Sequence, residues 1–176
     1  MKKRALYIVA FLVAAVLLSV VSGCGRKKPD GFPKIYPCNV KITQGGAPLA
    51  GAAITLLPTE KAGSRSWVIS GTTDDSGVAK IMTETYFVGA PAGKYAVTVT
   101  KISSDWSHAA KTVEEYDAMQ ERGEESTFTT TYSVAPEFAD PRQSGLEAQV
   151  NEGTNEFTFD VGEPFENVIE ENFKPN

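Results

Sequence analysis

Two patterns of hydrophobic and polar positions divide this chain. Residues 5–21, from Ala5 to Val21, form an apolar run without a charge, and Lys2, Lys3 and Arg4 precede it. From Tyr36 onward apolar residues recur at every second position instead, the signature of half-buried strands. Strands are predicted near 36–43, 51–57, 66–73, 78–83, 94–101, 146–150 and 155–161. Tyr95, Val97 and Val99 alternate with Ala96, Thr98 and Thr100, while Phe157, Phe159 and Val161 alternate with Glu156, Thr158 and Asp160. One apolar and one polar face per strand suits antiparallel sheets packed face to face. Gln44-Gly45-Gly46-Ala47-Pro48 and Asp74-Asp75-Ser76-Gly77 supply turns, as do Gly89-Ala90-Pro91-Ala92-Gly93. Asn151-Glu152-Gly153 is expected to close the last two strands as a hairpin. The prediction is an all-β protein, an antiparallel seven-stranded sandwich over 36–161 rather than a parallel α/β fold.

Residues 102–144 break the alternation. Val113, Tyr116 and Met119 are spaced by three among Glu114, Glu115, Asp117 and Glu121, which predicts a short helix within 111–123. An insertion this long between strands is often functional or disordered. Residues 162–176 are acidic and read as a loose tail, with Phe165, Val168, Ile169 and Phe173 as the residues able to dock it.

The basic start, the apolar run and Val21-Ser22-Gly23-Cys24 make a secretory signal over 1–23. Cys24 after two small residues looks like a bacterial lipobox, the site of acylation and the first mature residue. The apolar run is short for a spanning helix and slightly long for a signal, so its length does not exclude an uncleaved anchor. The cysteine, followed by the polar stretch Arg26-Lys27-Lys28-Pro29-Asp30, favours the lipoprotein. Two or more acyl chains would hold the membrane stably, at about 0.8 kcal/mol per buried methylene. Gly25 stands where an aspartate would suggest inner-membrane retention, so the outer membrane is the expected address. Residues 24–35 then act as a tether.

Net charge changes the picture of partners. The chain carries −5, and losing Lys2, Lys3 and Arg4 makes the mature part more acidic. Nucleic acid and polybasic membrane contact are excluded as functions, because phosphate neutralisation needs clustered cations. With Cys24 acylated, Cys38 has no disulfide partner. Alternation places it beside Val40 and Ile42, as a small buried hydrophobe.

Three segments resemble carboxypeptidase regulatory-like domains, in order and spacing over about residues 36–101. They are Gly46-Ala47-Pro48-Leu49-Ala50-Gly51-Ala52-Ala53-Ile54, Thr72-Thr73-Asp74-Asp75-Ser76-Gly77-Val78-Ala79, and Ala92-Gly93-Lys94-Tyr95-Ala96-Val97-Thr98-Val99. The ending, from Ser144 through Phe159, is similar to the small bacterial lipoprotein branch of that family. The resemblance implies a transthyretin-like or prealbumin-like sandwich, a non-catalytic domain at the cell envelope. The 102–144 insertion departs from that family's minimal domain.

Catalytic chemistry finds few residues. Transthyretin-like hydrolases use several histidines and a C-terminal Tyr-Arg-Gly-Ser, and intradiol dioxygenases hold iron with two His and two Tyr. This chain has one histidine and ends Phe173-Lys174-Pro175-Asn176. His108 with Cys38 is too small a set for zinc, so no metal and no cofactor is expected. Asp74-Asp75-Ser76-Gly77 lacks the spaced acids of a calcium loop. Lys41 faces outward, away from a cross-link to Asn155. Ser103 through His108 carries serine, aspartate and histidine but no nucleophile elbow. A hydrolase would require His108 and the acids of 114–125 to converge in a cleft, and the chain is read as no enzyme.

Binding is the better class. Trp106, His108, Tyr116 and Tyr132 are the candidate contact residues, with Phe128 nearby and Trp67 assigned to the core. They suit an envelope protein or a glycan, unless the insertion simply packs onto the sandwich. The chain is thus read as a lipid-anchored binding or structural module. The alternative is an accessory or carrier subunit of an envelope complex that docks through 102–144. Neither reading implies a particular oligomeric state.

Overall fold

The computed structural model describes residues 27–60 and 66–176. The signal at 1–23 and Cys24 lie outside the described residues. Residues up to Phe32 form one unit and Pro33–Asn176 another. In the first, Phe32 N–H closes a turn onto Pro29 O at 3.1 Å. Among the described residues, no helix is long and apolar enough to cross a membrane.

The regular structure of the second unit is almost all strand. Its first half holds β1 (Ile35–Tyr36), β2 (Cys38–Gln44), β3 (Ala47–Pro48), β4 (Ala53–Pro58), β5 (Ile69–Thr72), β6 (Val78–Lys80) and β7 (Met82–Thr83). β8 (Phe87–Val88), β9 (Ala90–Pro91), β10 (Gly93–Thr100) and β11 (Ile102–Asp105) follow, then helix α1 (Val113–Glu121) and β12 (Thr127–Tyr132). A 3-10 turn (Pro136–Ala139) leads into β13 (Glu147–Val150), β14 (Asn155–Asp160) and β15 (Asn167–Asn172).

Two sheets share one core. The six-stranded sheet runs β13-β10-β4-β5-β7-β8, and the four-stranded sheet sets β14, β3 and β6 around β2. Val40 and Ile42 from one sheet meet Ile54, Leu56, Val97, Val99 and Val150 from the other in a single buried cluster. Alternation decides this, since Val40 and Ile42 point in while Lys41 between them is exposed. Phe157 and Phe159 lie on the inward side as expected, but they are half-buried and stack on each other at 6.2 Å. Trp67 precedes β5 instead of lying within a strand, and packs half-buried against the core.

Three expectations are corrected. The sheets are not uniformly antiparallel, because β14 runs parallel to β2, with Asn155 opposite Cys38 and Phe159 opposite Ile42. Asn151–Gly153 is no hairpin, since β13 pairs with β10 while β14 pairs with β2, so the turn carries the chain between sheets. Asn155 organises that crossing. Its carboxamide accepts from Asn151 N–H at 2.8 Å and donates to Asn151 O and Gly153 O at 3.0 and 3.1 Å. The expected strand 78–83 likewise splits at buried Ile81, with β6 on β2 and β7 on β5. Chains that switch sheets make the corners of such packings. The Asp74–Gly77 turn also delivers its arms to different sheets. Asp74 Oδ1 accepts from Ser76 Oγ at 2.6 Å, Ser76 N at 2.9 Å and Val78 N at 3.1 Å, bonds that hold its carboxyl below the usual range.

Cys38 is 1% exposed and free. Burial pushes its thiol from 9.0 up to about 11. The unfolded thiol ionises near its ordinary value, so this contribution to stability is complete below pH 9 and is lost as pH rises through 11. A thiol-reactive chromophore at pH 8 should therefore leave native Cys38 unmodified for hours and label it within minutes in denaturant. Rapid labelling without denaturant would show the thiol to be accessible.

Candidate functional site

The insertion builds a third sheet, in the order β11-β12-β15. This corrects the loose-tail expectation, because residues 167–172 pair along the whole of β12, from Thr127 opposite Asn172 to Tyr132 opposite Asn167. The Thr-Phe-Thr-Thr-Thr-Tyr run of β12 is β-branched and aromatic, a strand signal that the polarity of its threonines conceals. β11 covers the other side, with Ile102 opposite Tyr132 and Asp105 opposite Thr129.

Register sorts the side chains of this sheet. Ile102, Tyr132 and Asn167 lie opposite one another, as do Ser104, Thr130 and Ile169 two positions along. Steps of two keep both rows on one face. The same face continues to Trp106 and Phe128, whose rings stack 4.3 Å apart at 6°. Phe173 meets Trp106 edge-on at 5.2 Å and Phe128 at 6.4 Å. The opposite face is more polar, with Ser103, Thr131, Asp105, Thr129 and Glu170 beside Val168. Ile102 is 54% exposed, Trp106 48% and Ile169 40%. These exposed apolar side chains, interleaved with Ser104, Thr130, Asn167 and Glu171, make this face the more apolar of the two.

Each end of the row opens into a depression. At the Tyr132 end lies an apolar groove of about 290 Å³ lined by Val99, Ile102, Val134, Pro136, Phe165 and Ile169 among others. At the Trp106 end lies a polar one of about 240 Å³, lined by Tyr116, Gln120, Glu125, Ser126, Asn172, Phe173 and Lys174. The Lys174 ammonium sits 5.5 Å from the Tyr116 ring centre, within the range of a cation–π contact.

Helix α1 supplies one wall of the polar depression. The predicted helix is present, and its ends explain its limits. Thr112 Oγ1 accepts from Glu115 N–H at 3.2 Å, and Glu115 reaches back to Lys111 N–H at 2.8 Å. The helix stops at Arg122, and Gly123 follows at φ +71°. None of its residues is fully buried, so it is held by its neighbours rather than by a core of its own. Ala110 N–H donating to buried Ser126 Oγ at 2.9 Å ties its approach to the start of β12.

The structure brings Trp106 and Tyr116 to the same end, on either side of Phe173, and leaves Tyr132 at the other. His108 joins neither depression. Its Nδ1 is 3.1 Å from Ser107 Oγ on an exposed turn. Asp105 accepts from Ser107 N–H at 2.9 Å, and among the described residues no carboxylate hydrogen-bonds the imidazole as a triad requires. Of the acids of 114–125, Glu115 bonds Lys111 N–H and Glu124 bonds Arg122 at 2.7 Å, which holds its carboxyl below the usual range. Among the described residues, no three His, Cys, Asp or Glu side chains group around a common point. Lys41 and Asn155 stand three register positions apart, with Thr158 opposite Lys41. Phe173, Asn172 and Lys174 are site residues that alternation and spacing do not reveal, because their place depends on β15 docking.

No protein-family model, curated protein or solved structure matches the chain.

Proposed function

We propose that this chain is a lipid-anchored protein of the bacterial cell envelope whose 102–144 insertion presents a non-enzymatic binding surface. In this reading the domain is of the carboxypeptidase regulatory-like kind, and its core is a seven-stranded transthyretin-like sandwich. The sandwich serves as a rigid base, Cys24 carries the acyl chains, and residues 25–35 tether the two. The observation that supports a binding role is the set of exposed apolar side chains, Ile102, Trp106, Tyr132 and Ile169, on one face of the β11-β12-β15 sheet. The motifs carried by Gly46–Ile54, Thr72–Ala79 and Ala92–Val99 support the family reading. Gly25 after Cys24 supports the outer membrane over the inner one.

Intact mass spectrometry of protein extracted from membranes with detergent tests the anchor. The expected product starts at Cys24 and carries diacylglyceryl mass with or without a third acyl chain, while the Cys24→Ala chain keeps its signal and gains none. An unmodified mature chain, or one cut at another position, would defeat the lipoprotein reading.

A further inference from the structure

We propose that the apolar groove at the Tyr132 end of the third sheet binds a single-chain anionic amphiphile, a medium-chain fatty acid, with its carboxylate at Lys101. The inference rests on the reading of the insertion as a binding surface and names its ligand. Separate parts of the chain build the groove. Val99 comes from β10, Ile102 from β11, Val134 and Pro136 from the stretch after β12, and Phe165 and Ile169 from the C-terminal segment. Val99 and Val134 also belong to the buried core, so the sandwich fixes one side of the groove. Ile102 and Ile169 are exposed and form open walls. A concave, mostly apolar lining with few polar groups is the usual character of a small-ligand site. Of the described residues that line it, Lys101 alone carries a charge. Among the described residues no carboxylate pairs with its ammonium. Asp140, next to Ala139 of the lining, is taken by Arg142 and Gln143.

Apolar walls with one cation select the ligand. A neutral hydrocarbon would fill the groove but take water from Lys101 and give nothing back, whereas a carboxylate replaces that water with a charge-assisted bond. A cationic amphiphile would set like charges together. The groove of about 290 Å³ holds one chain of about ten carbons, at about the 30 Å³ that a water occupies in the liquid. Two chains do not fit, which sets a diacyl lipid aside. Position selects the source. β2 begins at Cys38, just past the pairing of β1 with β9 beside the tether. It ends at Gln44, whose Nε2 donates to Ser133 O at 2.9 Å, next to Val134 of the groove. Strand rise puts these two ends about 20 Å apart. The groove thus lies at the end of the sandwich opposite the tether, and its ligand comes from solution rather than from the bilayer.

The test is methyl NMR of the isoleucine-labelled full chain in lipid nanodiscs, because detergent would itself compete for the groove. Decanoate should shift the Ile102 and Ile169 methyl signals saturably, which uptake by the bilayer alone does not do. Decanol should bind about tenfold more weakly, the size of one charge-assisted contact, and decyltrimethylammonium more weakly still. Lys101→Met should remove the preference for decanoate over decanol and leave decanol binding unchanged. Ala139→Phe, at an exposed position of the lining, should weaken both ligands alike. Circular dichroism and the denaturation midpoint of each variant separate lost binding from lost fold. No shift at either isoleucine, or a preference for decanoate that survives Lys101→Met, overturns the proposal. A photo-crosslinker at position 104 on the same face, used in cells, separates this failure from failure of the parent reading. If one defined envelope protein is captured, and Ile169→Asp abolishes the capture while decanoate fails, the binding surface stands and the amphiphile falls. If neither amphiphile nor protein is found, both fall.

Discussion

Gly89→Ala is expected to cost the domain about 4 kcal/mol, because it strains the backbone and overpacks a tight junction at once. Gly89 holds φ +119°, a region that residues with a Cβ rarely adopt. The position is also crowded by backbone, because an added methyl group would overlap Tyr36 O and come within 2.8 Å of Tyr36 C. Tyr36 cannot retreat freely, since β1 pairs with β9 immediately beyond Gly89. Gly89 O in turn accepts from buried Thr83 Oγ1 at 2.7 Å, so a shift there would also disturb a bond with no water to replace it. Against the stability of an ordinary domain, 4 kcal/mol is a large fraction. Gly145→Ala is the control, with φ +64° but no heavy atom within 4 Å of the added carbon. It should lose only about 1 kcal/mol. Urea unfolding of the two variants gives the comparison, and equal losses would mean that Tyr36 does not lie against Gly89.

Asn155→Asp should be nearly as damaging at neutral pH, by about 3 kcal/mol, and the damage should be pH-dependent. The buried carboxamide N–H groups of Asn155 point at Asn151 O, Gly153 O and Pro37 O. A carboxylate there would set negative charge against carbonyl oxygens, with the backbone N–H of Asn151 its one donor among the described residues. The folded state would therefore raise the pKa of the new acid above its unfolded value of about 4. Protonation favours the native form in that case. Stability should be best below about pH 4 and should fall as pH rises through the elevated folded value. Chemical denaturation at a series of pH values reads this directly, beside the wild-type chain to remove the background. A variant no more sensitive to pH than the wild type would place Asn155 at the surface.

The core was legible because its signal is local. Val40 and Ile42, Ile54 and Leu56, and Val97 and Val99 declare their faces by alternation alone, and all six are buried. Sheet membership was not legible from the same windows. Asp74–Gly77 and Asn151–Gly153 have the composition of tight turns whether the next strand returns beside the last or crosses to the other sheet. The choice is made by partners remote in sequence, such as Pro37 O, which receives Asn155 N–H at 2.9 Å. For the site, Trp106 stood out because it is aromatic among Ser103, Ser104, Asp105 and Ser107. Phe173 and Asn172 did not, since an acidic terminal segment shows no period of its own until β12 gives it a register. The short helix was readable from its spacing, and Thr112 and Gly123 at its ends agree with the observed limits.

The parallel seam between β2 and β14 also constrains when this chain can fold. Thr43 Oγ1 bonds the Asp160 carboxylate at 2.6 Å across 117 residues of sequence. A strand near the start of the domain thus has one of its neighbours supplied by a segment close to its end. Contacts of such long range slow folding, because the entropy of closing the intervening loop is given up before the contacts form. A chain delivered from its N-terminus therefore holds β2 without that neighbour until almost everything else has emerged. In the interval the edge of β2 along Cys38–Thr43 lacks the backbone partners that β14 will supply.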